Sequence, residues 1–160
     1  MEKGKKIIIL IFAIILLTWV VWTSKESRNY NYKFQQIWRG ACCHNIKIND
    51  KIIATTISDT PEKREKGLSG AIKLKENTGM LFVFEQPAMH SFWMKDMLFS
   101  LDIIWMDENG NVVYIQKDAK SESYPESFTP DKPAKYVLEV NAGFSEKNNL
   151  KVGDEVKINL

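Results

Sequence analysis

"MHSFWMKDMLFSLDIIWMDENG", residues 89–110, gathers a histidine, two tryptophans and four methionines into one run, with Lys95 and Asp102 set among mostly apolar neighbours. Its period decides the fold class. In "SFWMK" the alternation puts Ser91, Trp93 and Lys95 on one face and Phe92 and Met94 on the other. In "LDIIWM" it puts Asp102 with Ile104 and Met106. Asp107-Glu108-Asn109-Gly110 reads as a turn, from which "NVVYIQ" returns antiparallel.

The flanking sequence has the same β character. "NIKINDKIIATTIS" predicts two strands about an Asn49-Asp50 turn. "TPEKREKGLSG" predicts a short helix, with Thr60 as cap, Pro61 in the first turn and Gly67 as terminator. Gly79 leads into "MLFVF", a strand apolar on both faces. Residues 117–134 predict a long loop, "KYVLEV" a strand, "FSEKNNL" a short helix, and "KVGDEVKINL" a Gly153-Asp154 turn into a last strand. The expectation is a mainly β (α+β) domain over residues 44–160, a compact barrel-like antiparallel sheet with two short helices.

The N-terminal part differs in kind. Residues 1–6 are basic and Ile7 to Trp22 is uncharged, so residues 7–24 predict one transmembrane helix. Eighteen residues separate Lys6 from Lys25, about 27 Å of helix against a hydrocarbon core of roughly 30 Å. A signal peptide starts the same way but ends in small residues, whereas Trp19 and Trp22 suit an interfacial aromatic belt. The reading is an uncleaved anchor. Lys3, Lys5 and Lys6 favour a cytoplasmic N-terminus and an extracytoplasmic C-terminal domain. Residues 25–43 read as a stalk, although Ile37 to Cys43 also suits an edge segment of the domain.

Charge excludes one class of partner. The chain holds 22 basic and 20 acidic residues, and setting aside Lys3, Lys5, Lys6 and Glu2 leaves 19 of each. The outer part is therefore neutral and without a basic cluster, so no nucleic-acid partner is expected.

Cys42 and Cys43 are adjacent, with Cα atoms ~3.8 Å apart where a disulfide prefers about 4.4–6.8 Å. An intermolecular disulfide or two free thiols fits better. Met80, Met89, Met94, Met97 and Met106, with His90 beside one of them, raise Cu(I) chemistry. Interleaved with Phe, Leu and Ile, they read instead as core filling. His90 reads as a packed or surface residue, and no metal and no cofactor is expected.

Enzyme signatures are missing: there is no G-x-S-x-G, H-E-x-x-H, P-loop or dinucleotide fingerprint. Asp102 and Glu139, both in predicted strands, are candidates for a catalytic carboxylate pair. Residues 96–100 have hairpin length, which would let Lys95 reach Asp102 as a structural ion pair or as the polar floor of a pocket walled by Trp93.

"SDTPEKREKGLSG", "GMLFVF", "SFWMKDMLFSLDIIWMDENGNVV" and "KYVLEVNAGFSEKNNLKVGDEV" resemble the DUF192 family in order and spacing, over about residues 48–158. The resemblance implies a compact, predominantly β domain of unknown function, often behind an export signal or anchor. Its polar signature positions fall on Asp59, Arg64, Gly67, Lys95, Asp102, Glu139, Asn141 and Gly143. Asp96 stands where the family usually has asparagine, and Ser100 where proline is frequent. The Asp96 charge weakens any anion-binding role for Lys95.

Together these readings predict a membrane-anchored, extracytoplasmic domain that binds a cell-envelope polysaccharide or protein without catalysis. Arg64, Trp93, Lys95, Asp102, Glu139 and Asn141 are the candidate ligand-binding residues. The second reading is an envelope hydrolase using Asp102 and Glu139. The third is a thiol or copper-handling module built on Cys42, Cys43 and the methionines.

Overall fold

The computed structural model describes residues 44–160. The expected anchor (residues 7–24), the expected stalk (residues 25–43) and Cys42-Cys43 lie outside the described residues. Among the described residues no helix is long and apolar enough to cross a membrane.

The first hairpin forms where the sequence places it. Strands β1 (His44–Ile48) and β2 (Lys51–Ser58) pair antiparallel about Asn49, whose φ of 50° is a conformation asparagine tolerates. Helix α1 (Pro61–Lys66) follows. Thr60 caps it by accepting from the Lys63 N–H, proline takes the first turn, and the Gly67 N–H closes it onto the Lys63 carbonyl.

From there the chain runs through β3 (Thr78–Ala88), β4 (Phe92–Trp93), β5 (Leu101–Met106) and β6 (Val112–Ala119). It continues through β7 (Ser127–Phe128), β8 (Ala134–Asn141), helix α2 (Phe144–Lys147) and β9 (Val156–Ile158). Seven strands make one sheet in the order β6-β5-β8-β3-β2-β1-β9. Its far ends meet. Beside the Asn111–Glu155 bridge, the Val112 N–H donates to Asp154 O at 2.8 Å and the Val156 N–H to Gly110 O at 2.9 Å. Gly110 is required there, since its φ is +85° and a Cβ would lie 2.4 Å from Val156 O. The result is a half-barrel, close to the expected barrel.

Three expectations are corrected. The sheet is not wholly antiparallel, because β2 and β3 pair parallel. A parallel pair needs a long crossover, and residues 59–77, with α1, supply it. Next, "SFWM" contributes only Phe92 and Trp93 to a strand, and these pair with β7 rather than with β5. Residues 96–100 are therefore not a hairpin connection, and Lys95 does not meet Asp102. Last, the loop predicted over residues 117–134 is partly ordered into the end of β6, a 3-10 turn at Ser121–Ser123 and β7.

The sheet buries both faces. Ile46, Ile53, Leu81, Ile104, Leu138 and Val156 belong to the cluster on the inner face. Phe82, Ile103, Trp105 and Val137 alternate with these to the outer face, where the crossover and residues 90–97 cover them. Phe92 lies edge-on to Phe82 at 4.8 Å and to Trp105 at 5.7 Å, and the Trp105 indole donates to His90 O at 2.8 Å. Met80, Met94, Met97 and Met106 are buried, as core packing requires, while Met89 is exposed.

Candidate functional site

The outer layer does not close completely over the sheet. A cavity of about 420 Å³ remains between α1, the outer face of β3 and β8, and residues 90–97. Phe82, Phe84, Phe92 and Trp93 give it aromatic walls, and Arg64, Ser69, His90 and Ser91 add polar groups. Gly67, at the end of α1, has φ +49°, and a Cβ there would come within 3.3 Å of the Phe82 ring. A side chain at that position would crowd the cavity wall.

Glu139 lines this cavity from β8. Its register neighbours are Met80 on β3 and Ile103 on β5, so the carboxyl stands between apolar side chains. Only 5% of the residue is exposed, and Oε2 has no hydrogen-bond partner among the described residues. Burial pushes the carboxyl up to about 8, so at neutral pH it is chiefly the uncharged acid.

The other cavity groups are fixed in place. Arg64 Nη1 donates to Asp59 O at 2.7 Å and to Val83 O at 2.9 Å, with the guanidinium 5.1 Å from the Phe84 ring centroid. His90 stacks on Phe84 with centroids 3.4 Å apart, and its Nε2 lies 3.3 Å from Gln86 O. Burial, opposed by that contact and assisted by the Arg64 charge, holds the imidazole below its ordinary range. Trp93 is 52% exposed, a half-open wall at the mouth.

A family model for DUF192, described as an uncharacterised ACR, matches residues 44–158. The chain belongs to the DUF192 family. Curated relatives are a UPF0127 protein of Thermococcus kodakarensis, 31% identical over 61% of this chain and 60% of its own length, and one of Thermococcus sibiricus, 32% identical over 62% of each. The match thus spans about three-fifths of these relatives' length. A Novosphingobium aromaticivorans crystal structure of unknown function aligns with a TM-score of 0.67 and 26% identity, over 71% of this chain and 83% of that one. A Sinorhizobium meliloti structure, provisionally named a transcription regulator, aligns with a TM-score of 0.68 over 74% of this chain and 95% of that one; at 23% identity it shows the fold alone.

Among the DUF192 signature positions, Arg64, Gly67 and Glu139 line the cavity, beside Phe92 and Trp93 of the F-W-M-K block. Lys95 is exposed and outside it, while its carbonyl accepts from Ser69 Oγ at 2.9 Å. Asn141 lines a separate cavity of about 230 Å³, where Nδ2 donates to Leu74 O and Lys75 O. Asp59 is exposed and pairs with Lys63 at 2.6 Å, which lowers its carboxyl from the ordinary range.

Asp102 stands apart from both cavities. It is fully buried, and its oxygens accept three backbone N–H groups: Asp118 at 2.9 Å, Gly143 at 3.1 Å and Ser145 at 2.7 Å. It ties β6 to the start of α2, and neither the Lys95 pair nor the Glu139 pair forms. The register explains the second: Asp102 lies opposite Val140, so it points to the face that Glu139, opposite Ile103, turns away from.

Of the six candidates named from the sequence, Arg64, Trp93 and Glu139 line the larger cavity, whereas Lys95, Asp102 and Asn141 do not. His90, read there as a packed or surface residue, also lines it, and Phe82 and Phe84 are passed over. The signal for the two phenylalanines is "MLFVF", since a strand apolar on both faces needs a second layer above it. Among the described residues no group of three His, Cys, Asp or Glu side chains is placed to hold a metal ion.

Proposed function

We propose that this protein is a membrane-anchored, extracytoplasmic binding module that holds a cell-envelope ligand, foremost a polysaccharide, in the cavity over Glu139. One observation carries the reading. A carboxyl this deeply buried and lacking a hydrogen bond on Oε2 is costly in the free protein, and a ligand hydrogen-bonding to it offsets that cost. The aromatic walls and the volume suit a small-molecule site, which typically measures about 300–1,000 Å³. Tethering rests on the uncharged run Ile7 to Trp22 behind Lys3, Lys5 and Lys6.

Hydrolysis by Asp102 and Glu139 is disfavoured. Glycosidases set two carboxyls about 5–9.5 Å apart across the scissile bond, whereas these two face opposite sides of a sheet. Buried methionines likewise give little support to copper handling.

The test is capture of purified envelope polysaccharide by the full chain in detergent. Trp93→Ala and Glu139→Leu should each weaken capture about ten-fold, roughly 1.4 kcal/mol, while Lys132→Ala on the exposed loop leaves it unchanged. Equal capture by all four proteins overturns the proposal.

A further inference from the structure

The cavity over Glu139 carries few ionisable groups. Its ionisable side chains are Arg64, Glu65 and Lys66 from α1, His90 ahead of β4, and Glu139 itself. The strands flanking Glu139 present Met80 and Ile103 beside it, so no charged group from the sheet faces the carboxyl. With Glu139 uncharged and His90 held low, Arg64 and Lys66 outweigh Glu65 and repel a cation. Phe84 is also unavailable as a wall of a cation cage, because His90 already stacks on it and Arg64 already lies over its ring. An anion, although it would meet the Arg64 and Lys66 charges at the α1 side, finds no built cradle around the Glu139 carboxyl. Arg64 Nη1 is committed to two backbone carbonyls, and the buried surroundings of Glu139 are apolar.

What remains is a half-exposed indole, Trp93, and a carboxyl with an unpartnered oxygen, which in its protonated form can both donate and accept a hydrogen bond. We infer that the cavity takes an uncharged sugar ring of a glycosyl unit, its C–H face against Trp93 and a hydroxyl hydrogen-bonded to the Glu139 carboxyl. This rests on reading the cavity as a binding site and adds the class of ligand. A hydroxyl is both donor and acceptor and so matches a protonated carboxyl. Seating the ring would cover the remaining 5% exposure of Glu139, so the acid form binds and the ionised form is penalised.

The experiment titrates the full chain, in a detergent lacking sugar headgroups, with maltotriose, cellotriose and chitotriose, and with choline as a quaternary ammonium. At least one trisaccharide should bind, and bind about ten-fold more weakly at pH ~9.5 than at pH ~6.5. Glu139→Gln, which keeps a donor and an acceptor, should retain binding and lose the pH dependence. Trp93→Ala should lose about ten-fold at either pH. Choline binding that tightens as pH rises would overturn the inference and leave a cation-binding module. Absence of Trp93-dependent binding by all three trisaccharides also overturns it. The binding reading itself stands or falls separately, on whether Trp93→Ala and Glu139→Leu weaken polysaccharide capture.

Discussion

Asp102 and Glu139 are buried carboxyls on adjacent strands, yet their surroundings differ completely. Three backbone N–H groups surround Asp102, whereas Glu139 has an unpartnered oxygen and apolar neighbours. Asp102→Asn replaces an acceptor with a donor against those N–H groups and should destabilise the fold by about 2–4 kcal/mol in urea denaturation. Glu139→Gln should behave differently. The wild-type carboxyl rises from 4.5 unfolded to about 8 folded, so its contribution is intact below pH 4.5 and is lost as pH climbs through 8. The variant lacks that slope. It should match wild type near pH 5 and exceed it near pH 9 by several kcal/mol, since each ten-fold change in proton affinity on folding corresponds to about 1.4 kcal/mol. Denaturation at both values checks this. Burial of Asp102 was legible as a charge in an apolar strand, but its partners were not, because the N–H groups of Gly143 and Ser145 are over forty residues away.

At the scale of elements, the sequence revealed strands and turns well where the contacts are local. The β1–β2 hairpin and α1 carry their own turn and cap residues, so local chemistry specifies them. Pairing between distant strands has no such signature. β4 follows the outer face of the sheet and meets β7 through Phe92 and Phe128, while β8 inserts between β3 and β5. The alternation within "SFWMK" persists in the structure, with Ser91, Trp93 and Lys95 exposed and Met94 buried. The β4–β7 pair is two residues long, so this cover should open more readily than the central strands. Hydrogen exchange should show amides of residues 90–100 exchanging at least ten-fold faster than those of β5 and β8, and equal protection would contradict a cover separable from the sheet.

At the scale of the whole molecule, the half-barrel supplies a sheet whose outer face carries the cavity, and the proposed anchor would set where that cavity works. The lysine asymmetry about residues 7–24 is the basis for proposing that the N-terminus is cytoplasmic and the C-terminal domain extracytoplasmic. Protease added to intact cells should remove the chain beyond about residue 24, while mass spectrometry finds the mature protein retaining Met1 or its neighbour. A mature N-terminus near residue 24 would instead indicate a secreted protein. The cavity was the least legible feature at any scale. It is assembled from α1, β3, β8 and residues 90–97, and no single segment contains its pattern.

The central claim, that Glu139 is an uncharged carboxyl kept for a ligand, is tested most directly by carbon-13 NMR of that carboxyl in the full chain. The account predicts titration near pH 8 in the free protein, displaced upward when a bound trisaccharide covers the cavity. Titration near 4.5 that no trisaccharide moves would contradict it.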